Sequence, residues 1–277
     1  MTFLDFPDAR IAYDSHGDKR PAIIFVHGSF CNRSDFDAQA RGLSDRFTVI
    51  AVDQRCHGES SGEYADFSID QSARDIEDLI ETLELGDVVV AGHSLGSRVA
   101  LQIAADRPDR TLGVVLLDGG RRADRTDKPA ALADEQFKGF LRDTFAALHS
   151  DLDAKGRAKM LAEIDHTPAP ELVSYGQAIE HWDINEYDTA IDRIGPTVPV
   201  LALQATYVDA TTPMRHVRSD ETSTPYLDDL AGRIANFRSV LVRDAGHFIM
   251  DEAEAVVNDS IAEFVTKVAI RSAGAER

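Results

Sequence analysis

Apolar residues in this chain fall into two patterns. In one, they form short unbroken runs: residues 22–26, 48–52, 88–91, 114–117 and 200–203, with shorter or weaker runs at 11–13 and 239–242. Unbroken runs of this length suit strands covered on both faces, where no alternation with polar residues is needed. In the other, apolar residues return every three or four positions, as on one face of a helix: residues 70–85, 95–106, 225–235 and 253–268. Gly86 stands just past the first of these helices, where a C-cap favours glycine. Strand and helix alternate, which predicts an α/β fold: a mostly parallel sheet with helices on both faces.

One interval departs from this rhythm. Residues 119–197 contain no convincing strand. A charged loop opens the interval, and helical patterns follow at about 131–149, 154–164, 170–182 and 186–194. A structureless connection of that length would be out of keeping with a compact domain. The expected organisation is therefore a core domain, residues 1–118 and 198–277, with a helical insert at 119–197.

Composition narrows this picture a little. With 277 residues, 43% hydrophobic and 28% charged, the chain can bury one full α/β core and a small insert. The formal net charge is −19, which disfavours phosphate backbones and anionic lipid. No run of about eighteen apolar residues is present, and the first ten residues lack a basic stretch followed by an apolar core. These features predict a cytoplasmic protein, a monomer or homodimer, whose partner is a small-molecule substrate and neither nucleic acid nor a membrane. Cys31 and Cys56 are too few for a disulfide framework and lack metal-ligand spacing. They are expected to be reduced structural thiols, and no metal or cofactor is expected.

The candidate chemistry begins at Gly92-His93-Ser94-Leu95-Gly96, between an apolar run and a helical pattern. This is G-x-S-x-G in the strand-turn-helix context of a nucleophile elbow. A sharp turn there would hold the Ser94 hydroxyl out above the sheet beside a helix N-terminus. A serine hydroxyl needs a base. His247 follows the last apolar run and precedes the last helix, so its loop would return over the strand ends. His27 and His93 are read as shaping loops and lining the substrate site, without transferring protons.

Four segments in this order, "FVHGSF" (25–30), "VDQRCHGESS" (52–61), "GHSLGS" (92–97) and "DAGHF" (244–248), resemble the α/β-hydrolase fold family over nearly the whole length. The resemblance implies an eight-stranded sheet and a cap inserted after strand six, where residues 119–197 lie. It also implies an oxyanion hole built from the backbone N–H groups of Ser29 and Leu95. The second segment departs from the family pattern Asp-x-Arg-Gly-x-Gly-x-Ser, because Cys56 replaces the first glycine. Cysteine would be strained there if the backbone needs positive φ.

The third member of a catalytic triad must hold the imidazole tautomer. Many relatives place this acid after the strand that follows the cap, about three residues past a glycine. In this chain Ala205 replaces that glycine and Asp209 comes one position late. Other relatives place it after the preceding strand, where Asp118 follows "VVLL" directly. Both Asp118 and Asp209 are candidates.

The insert carries Phe137, Phe140, Phe145, Tyr175, Trp182 and Tyr187, some of which should close an apolar pocket. His27, Phe30, His93, His181 and Trp182 are the candidate substrate contacts. Arg121 and Arg122 could meet an anionic group or simply face solvent. The resulting expectation is a cofactor-independent serine hydrolase acting on a small ester, lactone or related carbonyl compound. The alternatives are a C–C bond hydrolase, a cofactor-independent dioxygenase or lyase of the same fold, and a binding protein that retains the triad without turnover.

Overall fold

A computed structural model describes residues 1–121, 134–148, 154–207 and 215–275. Eight strands form one sheet: β1 (Thr2–Asp5), β2 (Arg10–His16), β3 (Ala22–Val26), β4 (Thr48–Val52), β5 (Val88–His93), β6 (Thr111–Leu117), β7 (Val200–Gln204) and β8 (Phe237–Leu241). Their spatial order is β1-β2-β4-β3-β5-β6-β7-β8. β2 runs antiparallel to both β1 and β4, and every other pairing is parallel.

Burial follows position in the sheet. β3, β4, β5 and β7 are buried at every residue, whereas the edge strands β1 and β8 have none fully buried. Central strands face helices on both sides, so both of their faces must be apolar. This is why the unbroken apolar runs mark them, and why β1, only four residues long, left no such mark.

The core helices are α1 (Asp37–Leu43), α2 (Ile69–Thr82), α3 (Leu95–Asp106), α8 (Pro225–Arg233), α9 (Ile249–Glu252) and α10 (Glu254–Ala275). α1 packs with α10, α2 packs with α3, and these pairs flank the sheet. α2 starts where Ser68 accepts a hydrogen bond from the Gln71 N–H, a side-chain N-cap. Among the described residues no helix is long and apolar enough to cross a membrane.

The connection between β6 and β7 contains α4 (Asp134–Leu148), α5 (Ala154–His166), α6 (Ala169–Asn185) and α7 (Tyr187–Ile194). Their bounds lie within a few residues of the helical patterns in the sequence. The insert packs on the core chiefly through two helices. α7 packs on α3, and α6 packs on a short helical turn at Tyr64–Asp66.

From β3 through β8, the parallel arrangement brings the carboxyl ends of these strands to one edge. In open α/β sheets that edge is where ligands bind. The segments holding His27, Gln54, Ser94, Asp118 and Ala205 leave the sheet there.

Candidate active site

Ser94 joins β5 to α3 with φ 51° and ψ −111°, a sparsely populated conformation for a residue with a side chain. Two neighbours make this turn possible. A Cβ on Gly92 would overlap the Gly96 carbonyl oxygen, and a Cβ on Gly96 would overlap that of Val26. Only glycine lets strand, turn and helix approach this closely. Phe30, Asp118 and Asp244 also have positive φ, in three other loops that carry candidate residues. Backbone strain of about 1–3 kcal/mol per residue is typical of functional loops.

Asp118 follows β6 directly and is 3% exposed. Its carboxylate accepts hydrogen bonds from the Ala205 N–H (2.7 Å), the Thr206 N–H (2.8 Å) and the Thr206 hydroxyl. The His247 Nδ1 lies 2.7 Å from Asp118 Oδ2. A buried carboxylate without partners would be very costly, and these four contacts supply that compensation. They also fix the imidazole with its proton on Nδ1, so Nε2 is left as the acceptor. The structure thus brings His247 to Asp118. The competing acid, Asp209, lies outside the described residues.

His247 is 4% exposed and rests against the elbow. Its ring centroid is 4.7 Å from that of His93, and His93 Nε2 donates to the His247 carbonyl at 2.9 Å. Among the described residues, no hydrogen bond joins the Ser94 hydroxyl to the imidazole in this conformation. Catalytic hydrogen bonds of free enzymes are often longer than those of their complexes.

The loop after β3 carries one candidate oxyanion donor, Ser29, and the start of α3 carries the other, Leu95. Ser29 and Leu95 are buried, and neither N–H has a protein acceptor among the described residues. Leu95 opens α3, where a helix N–H has no intrahelical partner, so its N–H and that of Ser29 stand available near the strained serine. Gly28 places this loop against the elbow: a Cβ there would lie 3.2 Å from that of Ser94.

His27 is fully buried and holds the loop from behind. Its Nδ1 donates to the Gly28 carbonyl at 2.8 Å, and its Nε2 accepts the Gln54 N–H at 3.0 Å. The Gln54 side-chain amide in turn donates to the His27 carbonyl at 2.8 Å. Burial lowers the His27 pKa to about 4, so the ring is neutral at ordinary pH. His27 and His93 are both fully buried and bonded to backbone carbonyls. In this conformation they brace loops and do not face open space.

The remaining candidates separate clearly. Phe30 belongs to a packed aromatic group with Tyr64, Phe145, Tyr175 and His57, its ring centroids 5.1–6.4 Å from theirs. Trp182 is 1% exposed and donates to Gln102 on α3 at 2.7 Å, so it fastens the insert to the core instead of lining open space. His181 is exposed on α6 and bonds Asn185. Arg121 is neither free nor simply solvated: it pairs with Asp188 and lies over the Tyr187 ring. Arg122 lies outside the described residues.

Cys56 has φ 68°, the strained conformation anticipated for a residue at that glycine position. Its thiol donates to the Glu63 carbonyl at 3.0 Å, and burial pushes its pKa up to about 12. Burial also raises Cys31 well above the ordinary thiol value. Neither is a thiolate at neutral pH, and both cysteines are free.

Several contributors were invisible in the sequence. Gln54 and Thr206 act through backbone or carboxylate partners, and no local pattern marks them. His57 reads in the sequence as part of a loop motif, yet it sits at the centre of the aromatic group, with Tyr175 Oη 3.3 Å from its Nε2. Arg98 and Asp183 form a buried two-pronged pair at 2.7 and 2.8 Å that ties α3 to α6.

Comparison with known proteins gives a consistent family. The model of the alpha/beta hydrolase family matches residues 23–259. The chain is 43% identical over 98 residues to a 2-(acetamidomethylene)succinate hydrolase of Mesorhizobium japonicum, covering 35% of each chain. It is 35% identical over 100 residues to the sn-1-specific diacylglycerol lipase ABHD11 of Mus musculus, covering 35% of this chain and 32% of that one. The chain thus spans about a third of the length of these curated relatives. Among solved structures, an enol-lactonase from Burkholderia xenovorans superposes with a TM-score of 0.73 at 23% identity, over 96% of this chain and 100% of that one. An N-acyl homoserine lactone degrading enzyme superposes at 0.75 and 22%, over 95% and 100%. At these identities the structural likeness speaks for the fold.

Proposed function

The chain belongs to the alpha/beta hydrolase family, and on that premise we propose that it is a cofactor-independent serine hydrolase cleaving a small ester, lactone or related carbonyl substrate. The observation that carries this reading is the buried Asp118–His247 pair, 2.7 Å apart, at the same sheet edge as the strained Ser94. The helices of residues 119–197 act as a cap over that edge. The protein is proposed to work as a monomer or homodimer in the cytoplasm on a small molecule.

In the first step Ser94 Oγ attacks the substrate carbonyl carbon while His247 Nε2 takes the hydroxyl proton. The carbonyl π pair moves onto oxygen, and the N–H groups of Ser29 and Leu95 stabilise the resulting oxyanion. Each such donor is worth about 3 kcal/mol in comparable enzymes. Collapse of the intermediate expels the leaving oxygen, which takes the proton from His247. A water then repeats the sequence on the acyl-enzyme, giving the acid and free Ser94. Asp118 stays ionised throughout and stabilises the imidazolium. Ester and lactone hydrolysis both fit this scheme, in keeping with the lipase and enol-lactonase named among the relatives. Cleavage of a C–C bond next to a carbonyl would use the same groups.

A second reading rests on one observation: the imidazole is bonded to Asp118 and not to Ser94. In that reading the pair acts as a base for a dioxygenase or lyase, and Ser94 only binds. One variant separates the two. Ser94→Ala should lower hydrolysis of short p-nitrophenyl esters by at least about 10³-fold with the fold intact. Retained turnover, with oxygen uptake on a heteroaromatic substrate, would favour the base reading instead.

A further inference from the structure

His93, the residue before the proposed nucleophile, touches three parts of the site at once. It is the last residue of β5 and is fully buried. Its Nε2 donates to the His247 carbonyl at 2.9 Å, a bond spanning 154 positions. Its ring packs on His247, with centroids 4.7 Å apart, and on Phe248 at 4.9 Å. On the oxyanion side it leaves no room for a side chain at Gly28, where a Cβ would come within 2.9 Å of His93 Nδ1.

The bond to His247 has no backbone substitute. Among the described residues no backbone N–H donates to the His247 carbonyl, although the carbonyl of the next residue, Phe248, receives two. His247 is therefore held at two points: its ring by Asp118 and its main chain by His93. The first hold sets the tautomer. The second sets where the ring stands relative to the elbow, because His93 is itself part of the elbow strand.

We propose that His93 is a positioning residue: through its bond to the His247 carbonyl it fixes the distance between the imidazole and Ser94. This rests on the hydrolase reading above. A ring anchored at only one point can still pivot, and a displacement of about 1 Å at a reacting group costs on the order of 10²-fold in rate. Substrate binding does not use this contact, so the effect falls on kcat and leaves KM in place.

The test compares three variants on a short p-nitrophenyl ester, alongside thermal melts. His93→Gln keeps an amide N–H at the reach of Nε2. His93→Phe keeps the ring without the donor, and His93→Asn keeps a donor that falls short. The expected result is that Gln retains kcat to within about 5-fold, while Phe and Asn lose about 30-fold or more at unchanged KM. The rate of Ser94 modification by a fluorophosphonate should fall in parallel. A folded Phe variant with wild-type kcat would overturn the proposal, and so would equal losses in Gln and Phe. Failure of all three to fold would also overturn it, by making the ring a support of the fold. A wild type inactive on every ester, lactone and thioester and unreactive with the probe would instead reject the hydrolase reading itself.

Discussion

The two halves of the site are built in opposite ways. Around Asp118 every hydrogen-bonding demand is met: two backbone N–H groups, one hydroxyl and one imidazole converge on a single carboxylate. At the buried residues Ser29 and Leu95 two N–H groups have no protein acceptor among the described residues. The difference follows from when charge exists. The carboxylate is charged in the free protein and must be compensated there. In the proposed mechanism an oxyanion exists only during reaction, so donors meant for it would be left waiting in the free protein. The loop that carries Ser29 is held from outside, by His27 and Gln54, and not through the Ser29 N–H itself.

The sharpest way to break this comparison is to remove the charge on the satisfied side. Asp118→Asn should lower kcat by about 10⁴-fold, because the amide favours the wrong imidazole tautomer. Asp209→Asn should stay within about threefold of wild type, since Asp118 already meets His247. Steady-state kinetics of the two variants decides the matter, and a larger loss in Asp209→Asn would reassign the acid.

The next effect tests the neutral histidines behind the oxyanion loop. Burial lowers His27 to about 4 and His57 to about 3, and the neighbouring His27 adds to the second shift. The unfolded chain binds these protons near pH 6.5, whereas the folded chain does not until much lower pH. Stability from these groups is therefore present above pH 6.5 and lost as pH falls toward 4, by about 3 kcal/mol for His27 alone. Urea unfolding should give a clearly lower free energy at pH 5 than at pH 7. Equal stability at the two values would show that neither ring is held neutral.

The smallest effect dissects the acid's own shell. Thr206→Val removes one hydroxyl donor and leaves the two N–H groups and the imidazole in place. A loss of about 1–2 kcal/mol, or roughly 5- to 30-fold in kcat, is expected. A loss as large as that of Asp118→Asn would mean that the carboxylate is not held mainly by the backbone of residues 205 and 206.

Sequence patterns revealed what depends on long runs and local turns. The central strands were visible because burial on both faces leaves only apolar residues. The elbow was visible because glycine is sterically required at 92 and 96. β1 is a weakly buried edge and α1 is only seven residues long, so neither left a comparable trace. The choice between Asp118 and Asp209 was open because it depends on how the ends of β6 and β7 face each other. There the N–H groups of Ala205 and Thr206 turn toward Asp118. The same reason hid Gln54 and the role of His93, whose partners are backbone carbonyls 27 and 154 positions away. Trp182 and His27 looked like pocket residues because the sequence gives their type but not their partners.

The central claim is that Ser94 is a nucleophile served by His247. The most direct measurement is reaction with a fluorophosphonate followed by peptide mapping, in the wild type and in His247→Ala. The account predicts one adduct per chain, on Ser94, and a labelling rate reduced by orders of magnitude in the variant. No adduct on Ser94, or labelling of Ser94 that is just as fast without His247, would contradict it.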